Sequence, residues 1–375
     1  MNVRVLLLAT LIVLVLVSIS GCRPSEAVPA PVVSGDTGIH RLLVQPDDLQ
    51  KANRETIRRL IASARRSIYL TIYEMSDQEI IDSIVAAKTA NTYLDIRVIF
   101  NCASFKVCNQ PGQNDHKDPN AVAKRAFSNA GILWKNAAPQ FAVTHQKTLT
   151  VDEATSLIAT FNFCPDYFVS TRDFGVITTD PDEVKEIVTV FENDWATPVI
   201  PSTPTLLVWS PENSRQMLKS VIASANRSLD VYIEEFDDRE IADAMIVAAN
   251  RLKSSGGVVR VITAVLSDPD KRSMDRNLAM RRYLNQNGVL ARYGDWRVDP
   301  GNANSAKMYI HAKMILADYG TAGARAFVGS ENFSPTSLDK NRELGIILKQ
   351  SADAGLLSTI SRTFSDDWSR CGKDR

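Results

Sequence analysis

Residues 60–87, LIASARRSIYLTIYEMSDQEIIDSIVAA, return as residues 221–249, VIASANRSLDVYIEEFDDREIADAMIVAA. Other pieces recur in the same order. Leu42-Leu43-Val44 matches Leu206-Leu207-Val208, DIRVIF (95–100) matches VVRVIT (258–263), and FENDW (191–195) matches FSDDW (364–368). The period is about 160–170 residues, far above that of a solenoid, so the chain reads as a duplicated domain. The junction WATPVIPSTPTLL (195–207) carries three Pro and reads as a linker. In each half, short apolar strand segments alternate with amphipathic helical ones, for example a strand at 68–73 or 229–233 and a helix at 77–90 or 238–254. Such alternation predicts an α/β fold, a mostly parallel or mixed sheet covered on both faces. The expectation is two tandem α/β/α sandwich domains, residues 41–198 and 204–375, with mixed β-sheets related by pseudo-twofold symmetry.

The first forty residues stand outside that repeat. One cation, Arg4, precedes an apolar run from Val5 to Val17 and then Ile19-Ser20-Gly21-Cys22. The run is short for a spanning helix and reads as a secretory signal, residues 1–21. Its end resembles a bacterial lipobox, which implies lipidation at Cys22 and an exported protein anchored in the cell envelope, facing the periplasm or the outside. Residues 22–40 read as a tether. Without residues 1–21 the chain has 42 basic and 43 acidic residues, a formal charge of −1, which carries no global nucleic-acid footprint. A local basic cleft stays open, with Arg281 and Arg282 as its candidates. Of the remaining cysteines, Cys102 and Cys108 lie in one loop-like stretch and could clip it closed, and export permits this. Cys164 with Cys371 is only the pair left over. No His falls at zinc-ligand spacing from a Cys pair, so no metal is expected.

The duplicated chemistry lies later in each half. THQKTLTVD contains His145, Lys147 and Asp152; YIHAKMILAD contains His311, Lys313 and Asp318. The chain has only four His, and two of them fall in His-x-Lys-x-x-x-x-Asp. One His meets that pattern by chance about once in four hundred trials. Both motifs lead into β-branched or apolar residues, so each His-x-Lys reads as one face of a strand. Each is followed by a hydroxyl and an Asn, Thr160 and Asn162 or Ser330 and Asn332, and then by a carboxylate beside an Arg, Asp173 or Glu343.

Two such sets facing each other suit a phosphodiester. Two Lys and two Asn donors can hold the charge that spreads over the nonbridging oxygens. One neutral His can attack phosphorus while the other, protonated, serves the leaving oxygen. Asp173 and Glu343 can set those two protonation states. With Lys in place of a metal, neither metal nor other cofactor is called for.

Doubled His-x-Lys-x-x-x-x-Asp with Gly-Ser-x-Asn resembles the phospholipase D superfamily, from about residue 40 to Trp368. The resemblance implies an active site between the halves and a covalent phosphohistidine. It implies His145 as nucleophile and His311 as general acid. Lys147, Lys313, Asn162 and Asn332 would bind phosphate, assisted by Thr160 and Ser330, and Asp152 and Asp318 would be supporting residues. Two departures stand out. Ala159-Thr160 replaces Gly-Ser in the first half, and the second half has ten residues between Asp318 and Gly329 where the first has six between Asp152 and Ala159.

The substrate is not written in the motifs. Hydrolysis of phospholipid to phosphatidic acid and head group is the first reading, because the expected anchor holds the cleft at a membrane surface. Phosphatidyl transfer to an alcohol, as in cardiolipin synthase-like members, is the alternative, and a nuclease of the same superfamily is a further one. A binding module without chemistry is the non-enzyme reading. With both half-sites in one chain, a monomer is expected.

Overall fold

The computed structural model describes residues 38–46, 52–102, 118–265, 271–299, 301–302 and 304–373. The expected signal segment, Cys22, the tether up to residue 37 and Cys108 lie outside them. The first half runs β1 (His40–Gln45), α1 (Ala52–Ala62), β2 (Ser67–Ile72), α2 (Gln78–Ala90), β3 (Asp95–Phe100), α3 (Ala121–Asn129), β4 (Leu133–Asn136), β5 (Lys147–Val151), β6 (Thr155–Ala159), α4 (Pro165–Val169), β7 (Thr171–Thr178) and α5 (Pro181–Trp195). The second runs β8 (Val208–Ser210), α6 (Ser214–Ser224), β9 (Ser228–Ile233), α7 (Arg239–Lys253), β10 (Val258–Ala264), α8 (Lys271–Gln286), β11 (Leu290–Gly294), β12 (Tyr309–Ile310), β13 (Lys313–Ala317), β14 (Arg325–Gly329), α9 (Pro335–Asp339), β15 (Glu343–Lys349) and α10 (Gln350–Arg370).

The sheet orders are equivalent: β4-β3-β2-β5-β6-β7-β1 and β11-β10-β9-β13-β14-β15-β8. Helical crossovers make β2-β3-β4 and β9-β10-β11 parallel, while the hairpin-linked β5-β6 and β13-β14 pair antiparallel. The sheets are therefore mixed, as the alternation of elements predicts. The same start signal opens α2 and α7. Asp77 accepts from the Ile80 amide and Asp238 from the Ile241 amide, each satisfying an amide that the first helical turn leaves open.

Strand alternation divides the cores. Ile315 and Ala317 of β13 and Phe327 of β14 face α6 and α7, whereas Met314, Leu316 and Val328 point the other way. That second face joins Ile158 and Phe174 of the first sheet, with Leu356 and Phe364 of α10, in one buried cluster common to both halves. Each such side chain contributes about 1.5–3 kcal/mol by leaving water. The described residues accordingly belong to one compact unit.

Three expectations are corrected or refined. Cys164 and Cys371 are free thiols, so the leftover pairing does not form. Cys102 is disulfide-bonded, and its expected partner lies outside the described residues. Arg281 is buried and donates to Thr263 Oγ1 at 2.9 Å, so it does not line a cleft. No helix of the described residues is long and apolar enough to cross a membrane.

One buried cluster ties β1 to both closing helices. His40 Nδ1 lies 2.7 Å from Asp353 and Nε2 lies 3.0 Å from Glu183. Burial alone would lower the imidazole pKa, but hydrogen bonds to Asp353 and Glu183 outweigh it and raise the value from 6.5 to about 9. The folded state thus favours the protonated ring. Its stabilisation is complete below pH 6.5 and lost as pH rises through 9, and amounts to roughly 3 kcal/mol. Urea unfolding at pH 6 and pH 10 is expected to show His40→Gln losing most of its deficit against wild type at the higher pH. An equal deficit at both pH values would contradict this.

Candidate active site

The histidines sit two residues before the start of the strands expected to carry them. β5 begins at Lys147 and β13 at Lys313, because the preceding residues pair with the other half instead. His145 and Gln146 donate their amides to the Arg342 carbonyl at 2.9 and 3.1 Å. His311 and Ala312 donate theirs to the Arg172 carbonyl at 3.2 and 2.9 Å. Thr144 bridges Arg342, and β12 pairs in parallel with β7. Each histidine is therefore carried into the cleft by backbone bonds across the pseudo-twofold.

The carboxylates cross over in the same way. His145 Nδ1 lies 2.9 Å from Glu343 Oε2 and 3.1 Å from the Ser330 carbonyl, both acceptors, so this nitrogen carries the proton. Glu343 is fixed in turn by Ser337 at 2.6 Å and Asn341 at 2.9 Å. His311 Nδ1 lies 2.9 Å from Asp173, which also accepts from the Thr160 hydroxyl. The hydroxyls have unequal tasks, since Ser330 Oγ accepts from the Leu344 amide and does not reach Glu343. Thr160 thus replaces Ser without loss of a donor.

A cleft of about 580 Å³ is lined by His145, His311, Asn162, Asn332, Tyr73 and Glu74 among others, and Lys147 and Lys313 are almost wholly buried. Lys147 Nζ lies 2.5 Å from the His145 carbonyl and Lys313 Nζ lies 2.7 Å from the His311 carbonyl. Burial, then the neighbouring Lys147 charge, bring the His145 pKa down to about 4, so this ring is neutral at pH 7 with Nε2 unprotonated. Burial and the Lys313 charge bring Lys147 down to about 7.

Asp152 and Asp318 are elsewhere. They close the far ends of β5 and β13, roughly 16 Å along the strand from the lysines at 3.3 Å per residue. Both adopt positive φ, 55° and 56°. Asp152 accepts from the amides of Arg65, Arg66 and Ser67, and Asp318 from those of Asn226, Arg227 and Ser228. They fix the turn into β2 and β9 and touch no group of the cleft. The second-half hairpin is longer, spanning 318–324 against 152–154.

Residues not singled out in the sequence also reach the cleft. Tyr73 stands edge-on to His145 with ring centroids 4.8 Å apart, and Tyr167 does the same to His311 at 4.8 Å. Glu234 accepts from Lys313 Nζ at 2.6 Å, from Tyr309 at 2.7 Å and from Asn332 Nδ2 at 3.3 Å. Burial would raise its pKa, but the His311 and Lys313 charges hold this carboxylate well below the usual range. Glu235 and Asp237 line the same opening. The repeat itself contained the signal for Glu234, because polar residues end the apolar strand segments in both halves.

A family model described as Cardiolipin synthase, PLD-like domain, matches residues 57–195 and 218–368, one region in each half. The crystal structure of phosphatidylserine synthase from Haemophilus influenzae Rd KW20 is similar with a TM-score of 0.64 and 13% identity, over 89% of this chain and 87% of that one. Polyphosphate kinase from Porphyromonas gingivalis is similar with a TM-score of 0.57 and 15% identity, over 82% of this chain and 47% of that one. At these identities the likeness concerns the fold. No curated protein sequence matches.

Proposed function

The chain belongs to the phospholipase D superfamily, as a phosphodiester-acting enzyme of the cardiolipin synthase, PLD-like domain family, and on that premise we propose that it moves a phosphatidyl group from one alcohol to another through His145. The observation that carries this reading is the pair of histidines in one cleft, with His145 neutral, bonded through Nδ1 and bare at Nε2. In the first step the Nε2 lone pair attacks phosphorus and a P–N bond forms. The P–O bond to the leaving alcohol breaks, and that oxygen takes a proton from His311 Nε2. In the second step an incoming hydroxyl gives its proton to His311, forms a new P–O bond, and the P–N bond breaks. Lys147, Lys313, Asn162 and Asn332 hold the nonbridging oxygens.

Water in the second step makes the reaction hydrolysis, which the sequence reading placed first. The family description, together with the phosphatidylserine synthase fold, favours an alcohol acceptor ahead of water. A nuclease is disfavoured by charge. The cleft opening carries Glu74, Glu234, Glu235 and Asp237, which repel a polyanion. An export signal and Cys22 anchor would place the cleft at a phospholipid surface, with no cofactor required.

The test uses vesicles of phosphatidylglycerol and phosphatidylethanolamine, with excess glycerol and with EDTA present. The expected products are exchanged phosphatidyl lipids in excess over phosphatidic acid. Phosphatidic acid alone would return the reading to hydrolysis, and no product from a folded chain would remove phospholipid as the substrate.

A further inference from the structure

The duplication makes the two half-sites nearly equivalent, yet the reaction needs them unequal. One of the positions that break the symmetry lies directly after β2 and β9. Asn120 accepts from the Met75 amide at 2.8 Å and donates to the Tyr73 carbonyl at 2.9 Å. Asn277 accepts from the Phe236 amide at 3.0 Å and donates to the Glu234 carbonyl at 2.8 Å. Tyr73 and Glu234 therefore occupy one backbone setting, each directly after the strand β2 or β9, and differ only in side chain.

The consequences for the two lysines are opposite. Lys147 lies 5.1 Å from the Tyr73 ring centroid, and burial pushes that phenol up to about 12, so it stays neutral. Among the described residues no carboxylate bonds Lys147 directly, Glu343, Glu234 and Glu74 acting on it only through space, and its charge opposes protonation of His145. Lys313 lies 3.2 Å from His311 Nε2, but Glu234 Oε2 is 2.6 Å from the same ammonium and 3.4 Å from Nε2. A carboxylate placed against both groups offsets the Lys313 charge. With Asp173 on Nδ1, it leaves each nitrogen of His311 facing an anion, while Tyr167 and Tyr309 close the remaining sides of the ring.

We infer that Glu234 is the positioning residue that divides the labour between the histidines: it lets His311 keep the proton destined for the leaving oxygen, while Tyr73 in the equivalent place leaves His145 to be the nucleophile. This rests on the proposed phosphatidyl transfer. Glu234 acts through Lys313 and His311 and takes no part in bond making.

The discriminating experiment varies the leaving group at constant phosphatidyl moiety. Phosphatidyl-4-nitrophenol releases a stable phenolate and needs little proton transfer, whereas phosphatidylglycerol releases an alkoxide-like oxygen and needs an acid. Both are presented in vesicles of one composition to wild type, Glu234→Gln and Glu234→Asp. The Gln variant is expected to lose about 10–100-fold more rate on phosphatidylglycerol than on phosphatidyl-4-nitrophenol, and the Asp variant, which retains the anion, to recover part of that difference. Equal losses on both lipids would overturn the inference and leave Glu234 a merely structural residue. If the Gln variant fails to fold, Glu234→Asn takes its place as the neutral variant, and equal losses on both lipids remain the overturning result. Absence of turnover of either lipid by folded wild type would instead overturn phosphatidyl transfer, and this inference with it.

Discussion

His145→Ala is expected to lower turnover by at least roughly 10⁴-fold, because no other group can form the covalent intermediate. Its ring is held by Glu343 and the Ser330 carbonyl on Nδ1, which leaves Nε2 as the one lone pair aimed into the cleft. The variant is expected to fold. His145 is half-buried at the cleft wall, and its backbone bond to Arg342 survives truncation. The readout is lipid exchange with EDTA present, together with loss of the acid-labile label that wild type retains. Neutral His145 is the reactive form and its pKa is about 4, so kcat/KM of wild type is expected to hold as pH falls to about 5 and to drop below pH 4. Substantial activity in the Ala variant would remove His145 as nucleophile and send the search to His311.

The largest loss of stability is expected at Arg342. This side chain is almost wholly buried, and its guanidinium reaches Asp194 of α5 at 2.9 Å and Glu212 at 2.7 Å. Asp194 belongs to FENDW, the segment that closes the first half, whereas Arg342 belongs to the second. The equivalent bond runs the other way: Arg172 of the first half meets Asp367 of FSDDW at 2.5 Å. Arg342→Met removes one partner and leaves two carboxylates without their cation, a change that costs about 3–5 kcal/mol. Its backbone carbonyl also supports His145, so activity is expected to fall with stability. Urea unfolding followed by tryptophan fluorescence measures the first effect. Arg59→Met is the control, since Arg59 is 51% exposed in an i,i+4 pair and is expected to change stability by less than about 0.5 kcal/mol. A loss below about 1 kcal/mol at Arg342 would contradict the assignment of a buried interdomain lock.

The duplicated succession of strands and helices was legible in the repeat because hydrophobic alternation and turn residues act over a few neighbours, whereas the strand order within each sheet was not. The spacing of His and Lys at i and i+2, and its recurrence with a later Asn and carboxylate, was legible for the same reason, although Asn162 and Asn332 lie beyond β6 and β14 and Asp173 and Glu343 sit on β7 and β15. Asp152 and Asp318 show the limit of that reading. They share the motif with the histidines, but a strand of five residues carries them to its opposite end, where backbone amides claim both carboxylates. Arg281 shows it differently, because a charge in a basic stretch reads as exposed until a neighbouring Thr263 and Tyr293 bury it.

By itself the sequence determined a duplicated α/β chain with two sets of phosphate-seeking side chains, because composition, spacing and periodicity are local properties of each half. Only the tertiary structure decided which groups serve which. Asp173 of the first half holds His311, Glu343 of the second holds His145, and the FENDW and FSDDW carboxylates clamp the opposite half's arginine. Only there does Glu234 meet Lys313 and His311 while Tyr73 meets Lys147 and His145. Those pairings join residues more than seventy positions apart. They depend on how two sheets pack across a shared core, which no short window of residues encodes.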